Sequence, residues 1–167
     1  MNLFDISHAL VREVLFLKAP DRRRLESLQG LTINVAEYCE LRQVDFIQDP
    51  DRSTTITALE FLPIFNLIEN GTKFQNLWNA EHQKSGKVCL EQHQDSWILT
   101  NDSLTPLPDD CFVMGKKGEN GNTGTGLALA KLFAHLQRNE VEGSSIKTDE
   151  RHHQVTFKIA PQMGVTF

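Results

Sequence analysis

Asn66, Asn70 and Lys73 are separated by four and three residues, so on a helix all three project from one face. Amides on the buried side of a helix are costly unless something polar sits against them. Far along the chain, Gly124-Thr125-Gly126-Leu127 opens an apolar run through Ala130. A glycine-rich helix start of this kind offers free backbone N–H groups and the positive end of a helix dipole to an anion. Amides and a lysine on one helix and an anion cradle at the start of another suggest a magnesium-bound triphosphate held between them. The alternatives are a solvent-facing polar stripe and a flexible hinge without a ligand.

Two helices must carry these groups. Thr57 and Glu60 form a capping box, which predicts a helix from Ala58 to about Phe74. Pro63 falls inside it and removes a hydrogen bond, predicting a kink or a late start. Phe61, Phe65 and Ile68 form the stripe expected to face a sheet. The second helix is expected over 127–138 with Leu129, Leu132, Phe133 and Leu136 inward. Strands are expected at 44–47, at 87–91 and 96–100 as a hairpin, and at 145–148 and 154–159, the last alternating Val155, Phe157 and Ile159. Residues 101–123 lack periodicity and read as a long mobile loop, the kind that closes over a ligand. The architecture that results is α+β, a mixed sheet with helices on one face.

Ahead of this body, Leu3, Ile6, Leu10, Val14 and Leu17 mark an amphipathic helix over 2–18. After Ala19-Pro20, Asp21 caps a second helix with Leu25, Leu28, Thr32, Val35 and Cys39 on one face. Residues 1–41 therefore read as a helical hairpin and 42–162 as the main domain. The hairpin's stripe is covered either by a second copy, giving a homodimer, or by the main domain.

The chain has 167 residues, 40% hydrophobic and 23% charged, the balance of a soluble globular protein. A net charge of −5 and no basic run beyond Arg22, Arg23 and Arg24 argue against nucleic acid as a partner. Cys39, Cys89 and Cys111 are odd in number and lack C-x-x-C spacing, which points to reduced thiols in a cytoplasmic setting. No apolar run approaches the roughly 20 residues a membrane crossing needs. His152 and His153 are neighbours on a strand and point to opposite faces, which defeats a shared metal.

The nine residues 66–74, Asn-Leu-Ile-Glu-Asn-Gly-Thr-Lys-Phe, resemble the N box of the sensor histidine kinase catalytic domain, and Gly-Thr-Gly-Leu-Ala-Leu-Ala over 124–130 resembles its second glycine box. The likeness spans about residues 42–161 and implies the Bergerat ATPase fold, a two-layer α/β sandwich, in two-component signalling. It implies ATP and Mg²⁺ as cofactors, with Asn70 ligating the metal and Asn66 and Lys73 contacting phosphates or the metal's waters. It implies backbone contacts from Gly124, Thr125, Gly126 and Leu127 to the phosphates, with Lys116 and Lys117 as further neutralising charges. It also implies dimerisation through the N-terminal helices and a response regulator as partner. The family's first glycine box, an aspartate followed by spaced glycines, is matched only in part: residues 99–106, Leu-Thr-Asn-Asp-Ser-Leu-Thr-Pro, contain no glycine. Asp102 stands for the adenine-binding aspartate, or Asn101 does, since an amide oxygen accepts the same bond. His8 lies in a stretch similar to the phosphoacceptor box, with Ala9 where the family has an acidic residue; a half-buried helical histidine is the alternative. Two other readings stay open. One is a degenerate relative without nucleotide, acting as a dimeric interaction or phosphotransfer module. The other is an ATPase of the wider GHKL group driving conformational change, against which Asn66 stands where those enzymes keep a glutamate.

Overall fold

The computed structural model describes Glu26, residues 28–113 and residues 126–163. Their elements run β1 (Thr32–Asn34), α1 (Val35–Leu41), β2 (Asp45–Ile47), β3 (Thr55–Thr57), α2 (Ala58–His82), β4 (Cys89–His93), β5 (Ser96–Ser103), α3 (Gly126–Leu136), β6 (Asn139–Asp149) and β7 (His152–Pro161). Five strands form one mixed sheet in the order β2-β4-β5-β7-β6, with β2 parallel to β4 and the other pairs antiparallel. Leu90, Leu99, Val155, Phe157 and Ile159 alternate onto one buried face, and the helices cover that face. The fold is the expected α+β two-layer arrangement.

The span read as one helix over 21–39 is corrected at its middle. Residues 28–30 are helical, but Gly30 is followed by the strand Thr32–Asn34, and a new helix begins at Val35. Gly30 is a helix-ending residue, Thr32 and Ile33 are β-branched, and the Asn34 side chain accepts the Glu37 N–H at 3.2 Å as an N-cap. β1 pairs antiparallel with β3, the Val35 N–H reaches the Thr54 carbonyl at 2.8 Å, and Val35 and Cys39 enter the sheet core. Residues 32–41 are thus packed against the sheet domain. The first helix expected over 2–18 lies outside the described residues.

α2 begins where the capping box places it: the Thr57 hydroxyl oxygen accepts the Glu60 N–H at 3.1 Å. It then runs through Pro63 and far past residue 74, to a left-handed cap at Gln83. Every residue from Phe61 to Ile68 is buried, so this half is covered all round, by sheet and α1 on one side and by α3 and Leu28 on another. Beyond it only Gly71, Gln75 and Trp78 are buried, a single face over the sheet. Pro63 removes the N–H that would bond the Leu59 carbonyl one turn earlier. The Gln137 side-chain amide fills that position, donating to the Leu59 carbonyl at 2.8 Å and to the Phe133 carbonyl at 3.0 Å. Inside α3 the buried residues are Leu127, Ala128, Leu129, Ala130, Phe133 and Ala134, whereas of the others expected inward Leu132 is half-buried and Leu136 is 48% exposed at the helix end.

The loop expected over 101–123 is shorter and better anchored where it is described. Residues 101–103 continue β5, where the Asn101 to Ser103 pairing with β7 extends the ladder. Leu107 donates its N–H to the Ser145 hydroxyl at 3.0 Å and packs on the core, and Phe112 meets Phe157 edge to face at 6.2 Å. Gly143 in β6 is required there: a Cβ on it would sit 2.7 Å from Leu107 Cδ2 and 2.9 Å from Phe157. Residues 114–123 lie outside the described residues.

Two measurements test this packing. Gln137→Leu leaves the partly buried Leu59 carbonyl without that donor, and urea unfolding should show a loss of about 1–3 kcal/mol at unchanged m-value. The Cys39 thiol is fully buried, and burial, with a smaller effect from Cys89, pushes it from 9.0 to about 12. Its folded pKa is raised, so its contribution to stability is intact below pH 9 and is lost as pH rises through about 12. Cys39→Ala should therefore show a flatter decline of melting temperature across that alkaline window.

Candidate functional site

The two helices that carry the polar motifs run antiparallel. α3 starts beside the middle of α2, where a Cβ on Gly126 would lie 4.0 Å from the Asn66 carbonyl, and ends near Leu59, which Gln137 grips. The N-terminal end of α3 thus opens at Asn66, facing the half of α2 that holds Asn70 and Lys73. Two stretches far apart in the chain are brought together at this point. Gly126 and Leu127 are the described members of the glycine box; Leu127 is 5% exposed and its side chain belongs to the core, so only its backbone faces the opening. Gly124, Thr125, Lys116, Lys117 and His8 lie outside the described residues.

On α2, Asn66 is 7% exposed and its amide donates to the Leu62 carbonyl one turn back at 2.9 Å. Asn70 is half-buried and Lys73 exposed, and neither makes a hydrogen bond or ion pair among the described residues. Glu69, on the adjacent face, is engaged elsewhere: its Oε1 accepts the Tyr38 hydroxyl at 3.2 Å and pairs with Arg42 at 2.8 Å. Burial, then the Glu69 charge, raises the Tyr38 phenol well above its ordinary value, so it stays a donor to that carboxylate.

The strand next to α2 separates the two candidates for the base-binding position. Asn101 faces the helices, is 3% exposed, and its Oδ1 is buried with no hydrogen-bond partner. It lies against Gly71: a Cβ there would stand 3.4 Å from Asn101 Oδ1 and 3.1 Å from Leu99 Cδ2, so glycine permits the close approach of α2 to β5. Asp102 is already engaged. Its Oδ1 is 2.7 Å from His152 Nε2, its Oδ2 accepts from Gln75 Nε2 at 3.2 Å, and its N–H donates to Gln75 Oε1 at 2.7 Å.

Sequence reasoning missed Gln75, Asn79 and His152. Gln75 bonds Asn79 Oδ1 at 3.0 Å, and Asn79 closes two bonds with the Gly86 backbone, at 2.8 and 3.1 Å. Trp78 stacks on His82 at 4.4 Å and packs at a tilt against His152 at 4.8 Å. The signal was present: Gly71, Gln75 and Trp78 continue the buried face of α2 at spacings of four and three, but the helix was expected to stop at 74. His152 and His153 do point apart, one half-buried beside Asp102 and the other buried at 8% exposure.

No family model and no curated protein matches the chain. Among solved structures it is similar to the cytoplasmic segment of the histidine kinase QseC, at 14% identity over 97% of this chain and 95% of that one, with a TM-score of 0.49. It is also similar to the mycobacterial sensor histidine kinase MprB, at 12% identity over 77% and 91% with a TM-score of 0.47. The Acinetobacter baumannii histidine kinase AdeS is a third, at 16% identity over 95% of each chain with a TM-score of 0.40. Among the described residues, no helix is long and apolar enough to cross a membrane.

The contact between α2 and β5 can be tested directly. Gly71→Leu must push Leu99 or lift the helix, and overpacking of this kind costs about 1–3 kcal/mol. Thermal unfolding should register that loss, while Lys73→Leu, on the exposed face, should stay within about 0.5 kcal/mol of the parent.

Proposed function

We propose that the chain binds Mg·ATP between α2 and the start of α3 and serves phosphoryl transfer to a histidine in two-component signalling. One observation carries the proposal: the α3 N-terminus opens at Asn66, beside Asn70 and Lys73, while Asn101 holds an unpartnered buried acceptor one strand away. The residues suit the cofactor. Asn70 would hold Mg²⁺ through its amide oxygen, Lys73 and the α3 backbone would meet phosphate charge, and Asn101 would accept from the base. Bound Mg²⁺ supplies charge neutralisation at the phosphate oxygens, and the protein's share of such a reaction is positioning and electrostatics. Glu69, tied to Tyr38 and Arg42, is left out of the chemistry. The acceptor histidine, a homodimer through the N-terminal segment and a response regulator partner belong to the same proposal.

Titration calorimetry with a non-hydrolysable ATP analogue and Mg²⁺ tests it. Binding in the micromolar range is expected, weakened about 10–100-fold in Asn70→Ala, the scale of one lost contact to a charged group. No binding by the intact chain overturns the proposal in favour of an interaction module without nucleotide.

A further inference from the structure

Asn101 presents a question that an aspartate would not. A carboxylate can only accept, whereas an amide turned over by half a rotation presents NH₂ in place of oxygen. A lone asparagine would thus bond a base edge carrying an amino group or one carrying a carbonyl. In this chain the choice is removed. Asn101 Nδ2 donates to the Asp102 carbonyl at 2.9 Å, so a turned amide would set two acceptor oxygens against each other.

Asp102, which carries that carbonyl, is itself held. The N–H of Asp102 donates to Gln75 Oε1, its Oδ2 accepts from Gln75 Nε2, and its Oδ1 meets His152 Nε2. Gln75 is 2% exposed and is backed by Asn79, which is closed onto the Gly86 backbone. Gly86 completes the clamp, since a Cβ there would lie 2.8 Å from Gln75 Nε2 and 3.3 Å from Asp102 Oδ2. Gln75 also fixes its own orientation, with its oxygen taking a backbone N–H and its nitrogen facing two acceptors.

We infer that Gln75 is a positioning residue that, through Asp102, locks Asn101 with its oxygen toward the ligand, so that the site takes a 6-amino purine nucleotide and rejects a 6-oxo one. The inference rests on the nucleotide reading and adds the residue that sets base selection. An amino group meets the oxygen of Asn101 as a donor; the carbonyl of guanine or hypoxanthine meets it as a second acceptor. A site whose buried polar group goes unpaired discriminates strongly.

Calorimetry of the full chain with Mg²⁺ and non-hydrolysable ATP and GTP analogues tests this. The parent should prefer the adenine analogue by about 100-fold or more. Gln75→Met, apolar and of similar volume, removes the two bonds that Gln75 makes to Asp102 and loosens the peptide beside Asn101, and the preference should fall below about 10-fold through a gain in guanine-analogue binding. Adding Asn101→Asp to Gln75→Met should restore it, because a carboxylate cannot donate; a purely structural role for Gln75 predicts no such rescue. Full preference retained in Gln75→Met overturns the inference, as does failure of the double variant to recover it. Absence of binding by the parent to either analogue overturns the nucleotide reading instead. If Gln75→Met does not fold, NMR of the parent decides: the locked Asn101 side-chain amide should exchange with solvent at least about 10-fold more slowly than an asparagine side-chain amide in a short unstructured reference peptide, and equal rates overturn the lock.

Discussion

The burial of α2 between the sheet and α3 is the constraint on which the rest depends. The whole stretch from 61 to 68 is shut away from solvent, so it cannot be amphipathic and must be apolar on every side. Asn66 is the exception within it, and its amide is partly satisfied by its own helix through the Leu62 carbonyl. α3 supplies one of the two covers and is registered by groups at both ends, Gly126 against Asn66 and Gln137 against Leu59. Pro63, which weakens a helix by removing a donor, here leaves a carbonyl that fixes where α3 must end. A local defect in one helix becomes a tertiary contact between two.

Past residue 70 the same helix changes character. It loses the covering helix, keeps a single face on the sheet, and fills that face with Gly71, Gln75 and Trp78. Glycine there lets β5 come close, and a bonded glutamine then holds the strand's last peptides. Buried amides are tolerated only when partnered. The side-chain amides of Gln75 and Asn79 are partnered at both ends, whereas Asn101 Oδ1, like Thr72 Oγ1 and Trp78 Nε1, is buried without a partner among the described residues. A buried acceptor left unpaired beside bonded amides is a place where an added donor gains much.

Legibility in the sequence tracked the length scale of each signal. The capping box at Thr57, the alternation of Val155, Phe157 and Ile159, and the hairpin of β4 and β5 are local, and each is found where its pattern placed it. The strand at Thr32–Asn34 was hidden because apolar residues at three- and four-residue spacing continued across it; Gly30 and the Asn34 and Glu37 pair were the local marks of a break. Leu136 was misplaced: it is the last residue of α3 and stands exposed, while the small residues Ala130 and Ala134 take buried positions. Gln75 and His152 carry no motif, and their roles exist only because β5 and β7 bring Asp102 between them.

The glycine-free stretch 99–106 has its explanation in the same geometry. Close approach of a helix to a strand needs missing side chains, which can be missing from the strand or from the helix opposite. Here the strand keeps its side chains: Leu99 is core, Ser103 is buried, and Leu107, just past the strand, is anchored against Gly143. The side-chain-free position is Gly71, on the helix, directly across from Asn101. A strand that ends in anchored residues rather than glycines is also a stiffer one, and there Asp102 is held by its ladder partner Gln154, by His152 and by Gln75 together. The glycine-free strand and the Gln75 clamp are, on this view, two parts of one arrangement.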